Sequence, residues 1–539
     1  MKGRMIMADK EFNLLDENWV RVITPECEIK EISLTDAIVH SHEYSGLCGE
    51  LPTQDVAVMR LLLAVLHTVF SRVNEEGEPT PLEEPDEALE RWKAIWDMGH
   101  IPENPVRDYL ESQHEKFWLF HPERPFYQLP EAKIGTEYGA AKLNGELSES
   151  SNKLRLFTAY SGEKKSKLPY SEAARWLLYV NAYDDTSAKP KGKNLPSPGA
   201  GWLGKLGLIT AEGRNLFETL MLNFVMLKDG KELWGEEKPA WELEKAKAAE
   251  RSEIALPDNP AELHTLQSRR LLLVRKDGMV TGYYLLGGDF FNKEMAFAEQ
   301  MTIWSPIRAT TKDKSVIGFK SCRHDSSKQM WREFPTAFPA EEKGEKHTPG
   351  IVSWISELKA YELLDDEQLI KFCTSSAQYG DKDFFISDVF SDSLSFHKKL
   401  LEEANDGWRS VIADEVARCD QLATAVDHLA NDIDAAMGED EGKAYVNAKE
   451  QLYFRIDIPF RKWLESINSE WGTKESEADR KRWRETAQKI AIALGEEMVA
   501  NAGESAFTGR MIKDDKNTRY YSSAKALLNF KYNVRKIYD

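Results

Sequence analysis

The first stretch whose residue types could do chemistry is Lys189–Gly204, KPKGKNLPSPGAGWLG. Its last six residues, Gly199-Ala200-Gly201-Trp202-Leu203-Gly204, satisfy G-x-G-x-x-G, a pattern that cradles a pyrophosphate when a buried strand precedes it and a helix opens on it. Here a lysine- and proline-rich segment precedes it, and another glycine follows at Gly207. Two readings stay open: a surface loop whose glycines make turns, or a basic, glycine-containing loop that meets phosphates or a DNA groove closely. The alternative function on these residues is a cytosolic enzyme binding a nucleotide at Gly199–Gly204. His40 with His42, and His324 beside Asp325, could ligate a metal, but neither pair has further ligands at workable spacing, and surface histidines are the default. No G-x-S-x-G, phosphate-loop or H-E-x-x-H motif occurs. These residues offer no acid–base pair to carry catalysis, although site residues need not be neighbours in sequence, and no cofactor or metal is expected from them.

A second basic stretch is Leu154–Pro169, where Arg155, Lys164, Lys165 and Lys167 surround Phe157 and Tyr160. Interleaved cations and aromatics are one signature of nucleic-acid contact. The net charge of −19 counts against a protein that coats nucleic acid unaided. Local basic loops on an acidic body suit a subunit that touches nucleic acid at a few points while partners supply most of the affinity.

These segments must be positioned by a large framework. With 539 residues, 42% of them hydrophobic, the chain can bury a sizeable core. Five cysteines lie far apart, so disulfide frameworks and cysteine zinc sites are not expected. The apolar run Val56–Phe70 is interrupted by Arg60 and His67, and the start MKGRMIMADKEF lacks an apolar signal region; both predict a cytoplasmic protein without a membrane partner. Pro52-Thr53-Gln54-Asp55 opens a buried helix. Strand patterns predict hairpins at Phe12–Ser33, at Arg269–Leu286 around Lys276-Asp277-Gly278, and at Phe372–Phe390, with Lys382 at the tip of the last. Ala132–Ser151 reads as a mobile loop and Trp234–Asn259 as a solvated helix and linker. From about Asp392 amphipathic helices take over, beginning with Leu394–Glu403. The expected fold class is α+β: a large mixed N-terminal domain of short β-hairpins and helices over 1–391, then a C-terminal antiparallel four-helix bundle over 392–539.

The order of features resembles a known family. F-N-L-L-D-x-x-W (Phe12–Trp19) is followed by E-L-P-T-Q-D-V-A-V-x-R-L-L-L-A-V-L (Glu50–Leu66), E-A-A-R-W-L (Glu172–Leu177), A-Y-D (Ala182–Asp184), G-W-L-G-x-L-G (Gly201–Gly207) and E-G-R-x-L (Glu212–Leu216). This looks like the CasA family, the large subunit of the type I-E CRISPR surveillance complex Cascade, from end to end. The resemblance implies a non-catalytic subunit that recognises the protospacer-adjacent motif (PAM) in double-stranded DNA. It also implies that the subunit promotes strand opening and R-loop formation and recruits the helicase–nuclease. The implied partners are crRNA, the other Cascade subunits, target DNA and that nuclease. Carried over by position, the PAM-reading loop falls on Lys189, Lys191, Gly192, Lys193 and Asn194, and the lysine finger on Lys293. The strand-separating hairpin tip falls on Lys382 and Asp383, where several relatives have glutamine or asparagine. The contact to the crRNA handle and neighbouring subunit falls on Phe157, Tyr160, Lys164 and Lys165.

Overall fold

The computed structural model describes residues 10–538 except 151–152, 156–157, 159, 186–194, 196, 245–246, 311–313, 341–345, 365–368, 403–404, 440–446, 469, 471 and 514–517. The chain divides into two compact units. One comprises Met1–Ser327, Glu342–Asp365 and Ile370–Ser393; the other comprises Lys328–Glu341, Asp366–Leu369 and Leu394–Asp539.

The first unit is built around the helix Pro52–Phe70, with proline in its first turn and Asp55 beside it, where a rigid φ and an acidic side chain favour a helix start. Among the described residues it is the one helix long and apolar enough to cross a membrane, and 94% of its apolar window is buried inside the protein. It packs against the helices Tyr170–Tyr183 and Pro260–His264. The charge in the middle of this apolar helix is satisfied in the core: Arg60 forks onto Glu299 at 2.8 and 3.0 Å, and Trp202 Nε1 donates to the same carboxylate at 2.9 Å. All three side chains are buried, so the carboxylate neutralises one element and orients another.

Around this core lie small sheets, none wider than three strands among the described residues. Arg269–Lys276 and Met279–Gly287 form the expected hairpin; Asp277 (φ 53°) and Gly278 (φ 73°) take the left-handed conformation that a two-residue turn requires. Val20–Ile23 pairs with Ile29–Ile32, while Glu11–Asn13 pairs instead with Trp118–Phe120. The aromatic run Phe117–Gln128 is core packing, with Phe117 stacked on Phe126 at 4.8 Å.

Three local expectations need correction. Of residues 132–151, those described, 132–150, form no loose loop: Thr136–Gly139 adds a third strand to the Met279–Gly287 edge, and the short helix Ala140–Leu143 follows. Few apolar residues sufficed because Leu143 and Leu147 are buried and the rest gains backbone pairing. Residues 234–259 contain, among those described, the 3-10 turn Ala240–Glu242 and an isolated bridge from Glu253 to Phe290. Side chains hold this segment: Glu237 accepts from Ala261 N at 2.8 Å, and Glu242 takes both nitrogens of the Arg72 fork at 2.9 and 2.8 Å. Residues 394–403 do not open the bundle; the strand Ile386–His397 runs through their first half and a 3-10 turn, Lys398–Leu401, follows.

The second unit is dominated by four long helices, Asp406–Met437, Ala448–Ser466, Thr473–Asn501 and Ser523–Lys536. Trp463 and Trp483 stack at 5.2 Å, and Phe460 stacks on Trp331 at 4.4 Å, so the segment Lys328–Glu341 shares this core. The buried Glu415 carboxylate collects Arg480, Arg484 and Arg418 at 2.7, 2.9 and 3.1 Å. A hairpin absent from the sequence reading, Arg510–Lys513 with Thr518–Tyr521, precedes the last helix.

Candidate nucleic-acid interface

Five of the residues in question, Lys189, Lys191, Gly192, Lys193 and Asn194, lie outside the described residues, as does Phe157. The two stems that carry the first five are described, and they are clamped. The helix Tyr170–Tyr183 ends at Asp184, whose carbonyl accepts from Gly201 N at 2.9 Å. A Cβ at Gly201 would sit 2.2 Å from Ala182 O, so only glycine permits this approach.

Arg269 completes the clamp. Its Nε donates to Asp184 Oδ2 at 2.7 Å, and Nη2 reaches the carbonyls of Asp184, Asp185 and Gly199 at 3.1, 3.3 and 2.7 Å. Both stems of the loop are thus held by one buried, planar guanidinium, whose rigid fork suits several acceptors at once. Asp185 is fixed in turn by Lys142 at 2.7 Å and Lys153 at 3.3 Å.

The second part is the hairpin of Leu369–Tyr379 and Ile386–His397. At its tip Lys382 (φ 54°) and Asp383 (φ 57°) are both left-handed, a rare backbone for side-chain-bearing residues and a mark of a tightly held turn. Asp383 is not a free tip residue. Arg323 grips its two oxygens at 2.7 and 3.1 Å, donates from Nε to Gly204 O at 2.6 Å, and lies 4.5 Å over the Tyr379 ring. Tyr379 Oη donates to Tyr183 O at 2.6 Å. The hairpin is therefore tied to the residues on both sides of 186–194. Lys382 is exposed beside Phe384 and Phe385, which leave 52% and 44% of their surface in solvent. Lys153 covers one face of Phe384 at 4.0 Å and donates to its carbonyl.

Lys293 stands exposed in the 3-10 turn Lys293–Met295, next to Phe291, which packs on Trp202 at 4.5 Å. Of the proposed RNA-contact residues, Lys164 is exposed, Lys165 pairs with the buried Glu149 at 2.5 Å, and Tyr160 Oη donates to Glu146. Glu149 also accepts from Arg155 N at 2.8 Å, so this carboxylate shapes the basic stretch.

Cations gather at the loop base on a chain that is otherwise strongly acidic. Burial, with help from Arg269, Arg251 and Lys293 and against Asp383, pushes the Lys205 ammonium down to about 8. Burial and Arg269 push Arg251 down to about 10. The G-x-G-x-x-G residues meet no dinucleotide geometry: a 3-10 turn, Leu203–Lys205, replaces the helix, and a Cβ at Gly204 would lie 2.0 Å from Tyr379 Oη. Their glycines serve backbone approach, and Trp202 is packed. His324 Nε2 lies 2.8 Å from Leu208 O; His40 lies beside Asp36 and Glu43 at 3.6 and 3.5 Å. Among the described residues, no group of three or more histidine, cysteine or acidic side chains could hold a metal.

Arg269, Arg323, Lys205 and Phe385 were missed as site residues by sequence reasoning, while Phe384 closes the stretch Tyr379–Phe384 on which the resemblance places the strand-separating hairpin. Only the charge of Arg323, beside Lys320, stood out in the sequence.

Comparison with known proteins adds three findings. The family model for CRISPR-associated protein Cse1 matches residues 13–494. A Thermus thermophilus protein, CRISPR-associated protein CasA/Cse1, is 32% identical over 219 residues; the aligned stretch spans 40% of each chain's length. Among solved structures, Thermobifida fusca Cse1 superposes with a TM-score of 0.82 at 26% identity, covering 99% of both chains. A chain from a CRISPR RNA-guided surveillance complex superposes with a TM-score of 0.68 at 15% identity, covering 98% of this chain and 100% of that one, a likeness of fold alone.

Proposed function

The chain belongs to the CRISPR-associated Cse1 family, and from that premise we propose that it is the large, non-catalytic subunit of a type I-E surveillance complex that reads the PAM in duplex DNA. The observation that carries this reading is the joining of two segments far apart in sequence. Arg323 ties the hairpin tip at Asp383 to Gly204, and Arg269 ties Gly199 to Asp184, so the residues flanking 186–194 and the tip share one base.

In this reading Lys189, Lys191, Gly192, Lys193 and Asn194 approach the minor groove, where a glycine allows close backbone contact and the base pattern is degenerate. Lys293 supplies a further phosphate or groove contact. The tip, with Lys382 and the exposed Phe384, pushes into the first base steps, at an unstacking cost of a few kcal/mol that added contacts offset. Tyr160, Lys164, Lys165 and Phe157 face the crRNA handle and a neighbouring subunit. Other Cascade subunits supply most of the affinity, the net charge of −19 opposing independent DNA binding, and a helicase–nuclease docks on the assembled complex in the cytoplasm.

The experiment is target binding by the crRNA-loaded complex carrying Gly192→Asp, or Lys191→Ala with Lys193→Ala. Affinity for PAM-bearing duplex is expected to fall at least about tenfold, and the double lysine variant to lower the log–log salt slope by about 0.9 per lost phosphate contact. Assembly with crRNA is expected to persist. Unchanged PAM dependence in both variants would refute the assignment.

A further inference from the structure

Lys205 closes the 3-10 turn Leu203–Lys205 and is half-buried. Its Cε lies 3.8 Å from the point where a Cβ on Gly199 would sit, and Asp383 Oδ2 lies 4.0 Å from that same point. The lysine side chain and the Asp383 carboxylate of the hairpin tip therefore both lie against Gly199.

The other buried or half-buried cations of this base have settled partners. Arg269 has Asp184 and a set of carbonyls, Arg323 has Asp383 and Gly204 O, and Arg251 lies 3.9 Å over the Phe290 ring. Among the described residues, Lys205 Nζ has no hydrogen bond or ion pair. The carboxylate whose charge acts on it, Asp383, is already taken at both oxygens by Arg323. Arg269, Arg251 and Lys293 add positive charge from three other segments. A half-buried ammonium among like charges destabilises the free protein, and a glutamine or methionine of similar length would avoid that cost. The arrangement makes sense if an anion arrives from outside.

We propose that Lys205 is a phosphate-binding residue that takes one phosphodiester of the target duplex between the loop stem and the hairpin tip. The inference rests on the PAM-reading function proposed above and extends it to a contact beneath the loop. Phosphate is the fitting anion because a compact ammonium recognises it as a point charge and because the surrounding cations exclude metal ions. Target DNA is favoured over crRNA because Lys205 adjoins the loop stem and the tip, whereas the proposed RNA-contact residues Tyr160 and Lys165 are held by Glu146 and Glu149.

Titration gives the site a distinct signature. With its ammonium pushed down to about 8, Lys205 loses its proton in the free protein as pH rises through that value, while a bound phosphate raises it again. Binding then takes up a proton, and affinity falls as pH rises from about 8 towards the ordinary lysine value.

The test is the crRNA-loaded complex with Lys205→Gln, titrated with PAM-bearing duplex at several salt concentrations and between pH 7.5 and 9.5. The variant is expected to bind about tenfold more weakly at pH 7.5, with a salt slope smaller by about 0.9. It should also lack the further, roughly tenfold loss that the unaltered complex shows across that pH range. The isolated variant chain is expected to melt at or above the temperature of the unaltered chain, because a stabilising change that weakens binding marks a functional charge. An unchanged affinity and slope, or a lower melting temperature accompanying the loss, would overturn the proposal. So would weakened crRNA loading with normal DNA affinity, since the anion would then be RNA. If Lys191→Ala with Lys193→Ala abolishes PAM dependence while Lys205→Gln changes nothing, only this inference falls. If neither changes anything, the PAM-reading function falls with it.

Discussion

Arg269→Ala is expected to destabilise the first unit by roughly 3–5 kcal/mol and to abolish PAM-dependent binding, the largest single effect in the molecule. The magnitude follows from what is left behind. Asp184 is buried to the same degree as Arg269, so removal of the guanidinium breaks a buried ion pair, which typically costs that much. The carbonyls of Asp185 and Gly199 lose this donor as well, a buried acceptor being worth about 1–3 kcal/mol if unsatisfied, whereas the Asp184 carbonyl keeps Gly201 N. These terms overlap, so the range is a total and not a sum. Arg269→Lys keeps the charge but reaches fewer acceptors, and is expected to lose about half as much. Urea unfolding checks the stability; target binding at a temperature where the variant is folded checks the function. A variant that unfolds normally and still discriminates PAM would show that the loop stems need no clamp.

Arg269 also shows why part of the site was illegible. In the sequence it is the first residue of a β-prone run, and its place in a hairpin followed from alternation and the Lys276-Asp277-Gly278 turn. Its partner Asp184 lies 85 positions away. Arg323 reaches Asp383 over 60 positions and Gly204 over 119. Periodicity and turn chemistry are local, so they place such residues on elements without saying what the side chains hold. The hairpin tip at Lys382 was legible because its turn residues are contiguous. The glycines of Gly199–Gly204 were legible as unusual, but the reason, contact with Ala182 O and Tyr379 Oη, is tertiary. The errors at 132–151 and 234–259 have a related origin: both segments are fixed by edge pairing or by buried carboxylates, which leave little hydrophobic pattern.

The second large effect is expected at the hairpin tip, and it should separate DNA opening from DNA recognition. Arg323→Ala removes the grip on Asp383, the donor to Gly204 O and the cation over Tyr379, yet the pair is about one-third exposed, with 33% and 27% of the two side chains accessible. Solvent screening limits its stability contribution to about 1–2 kcal/mol. The functional loss should be greater than the stability loss. The tip holds two consecutive residues in left-handed backbone, a conformation of order 1–3 kcal/mol above the ordinary one, and Arg323 ties it to the loop stem alongside Lys153, which bridges Phe384 O and Asp185. Once freed, the tip samples other conformers, and the probability of presenting Phe384 and Lys382 to the first base step falls. Unwinding beside the PAM, read by a fluorescent base at the first position, is expected to slow by at least about tenfold, while initial PAM-dependent capture changes by less than about threefold. Asp383→Ala should produce the same separation, and the double variant should be little worse than either single one, because both remove one interaction. Additive losses would mean that the two residues act independently, and equal losses in capture and opening would mean that the hairpin is part of the reading surface and not a wedge.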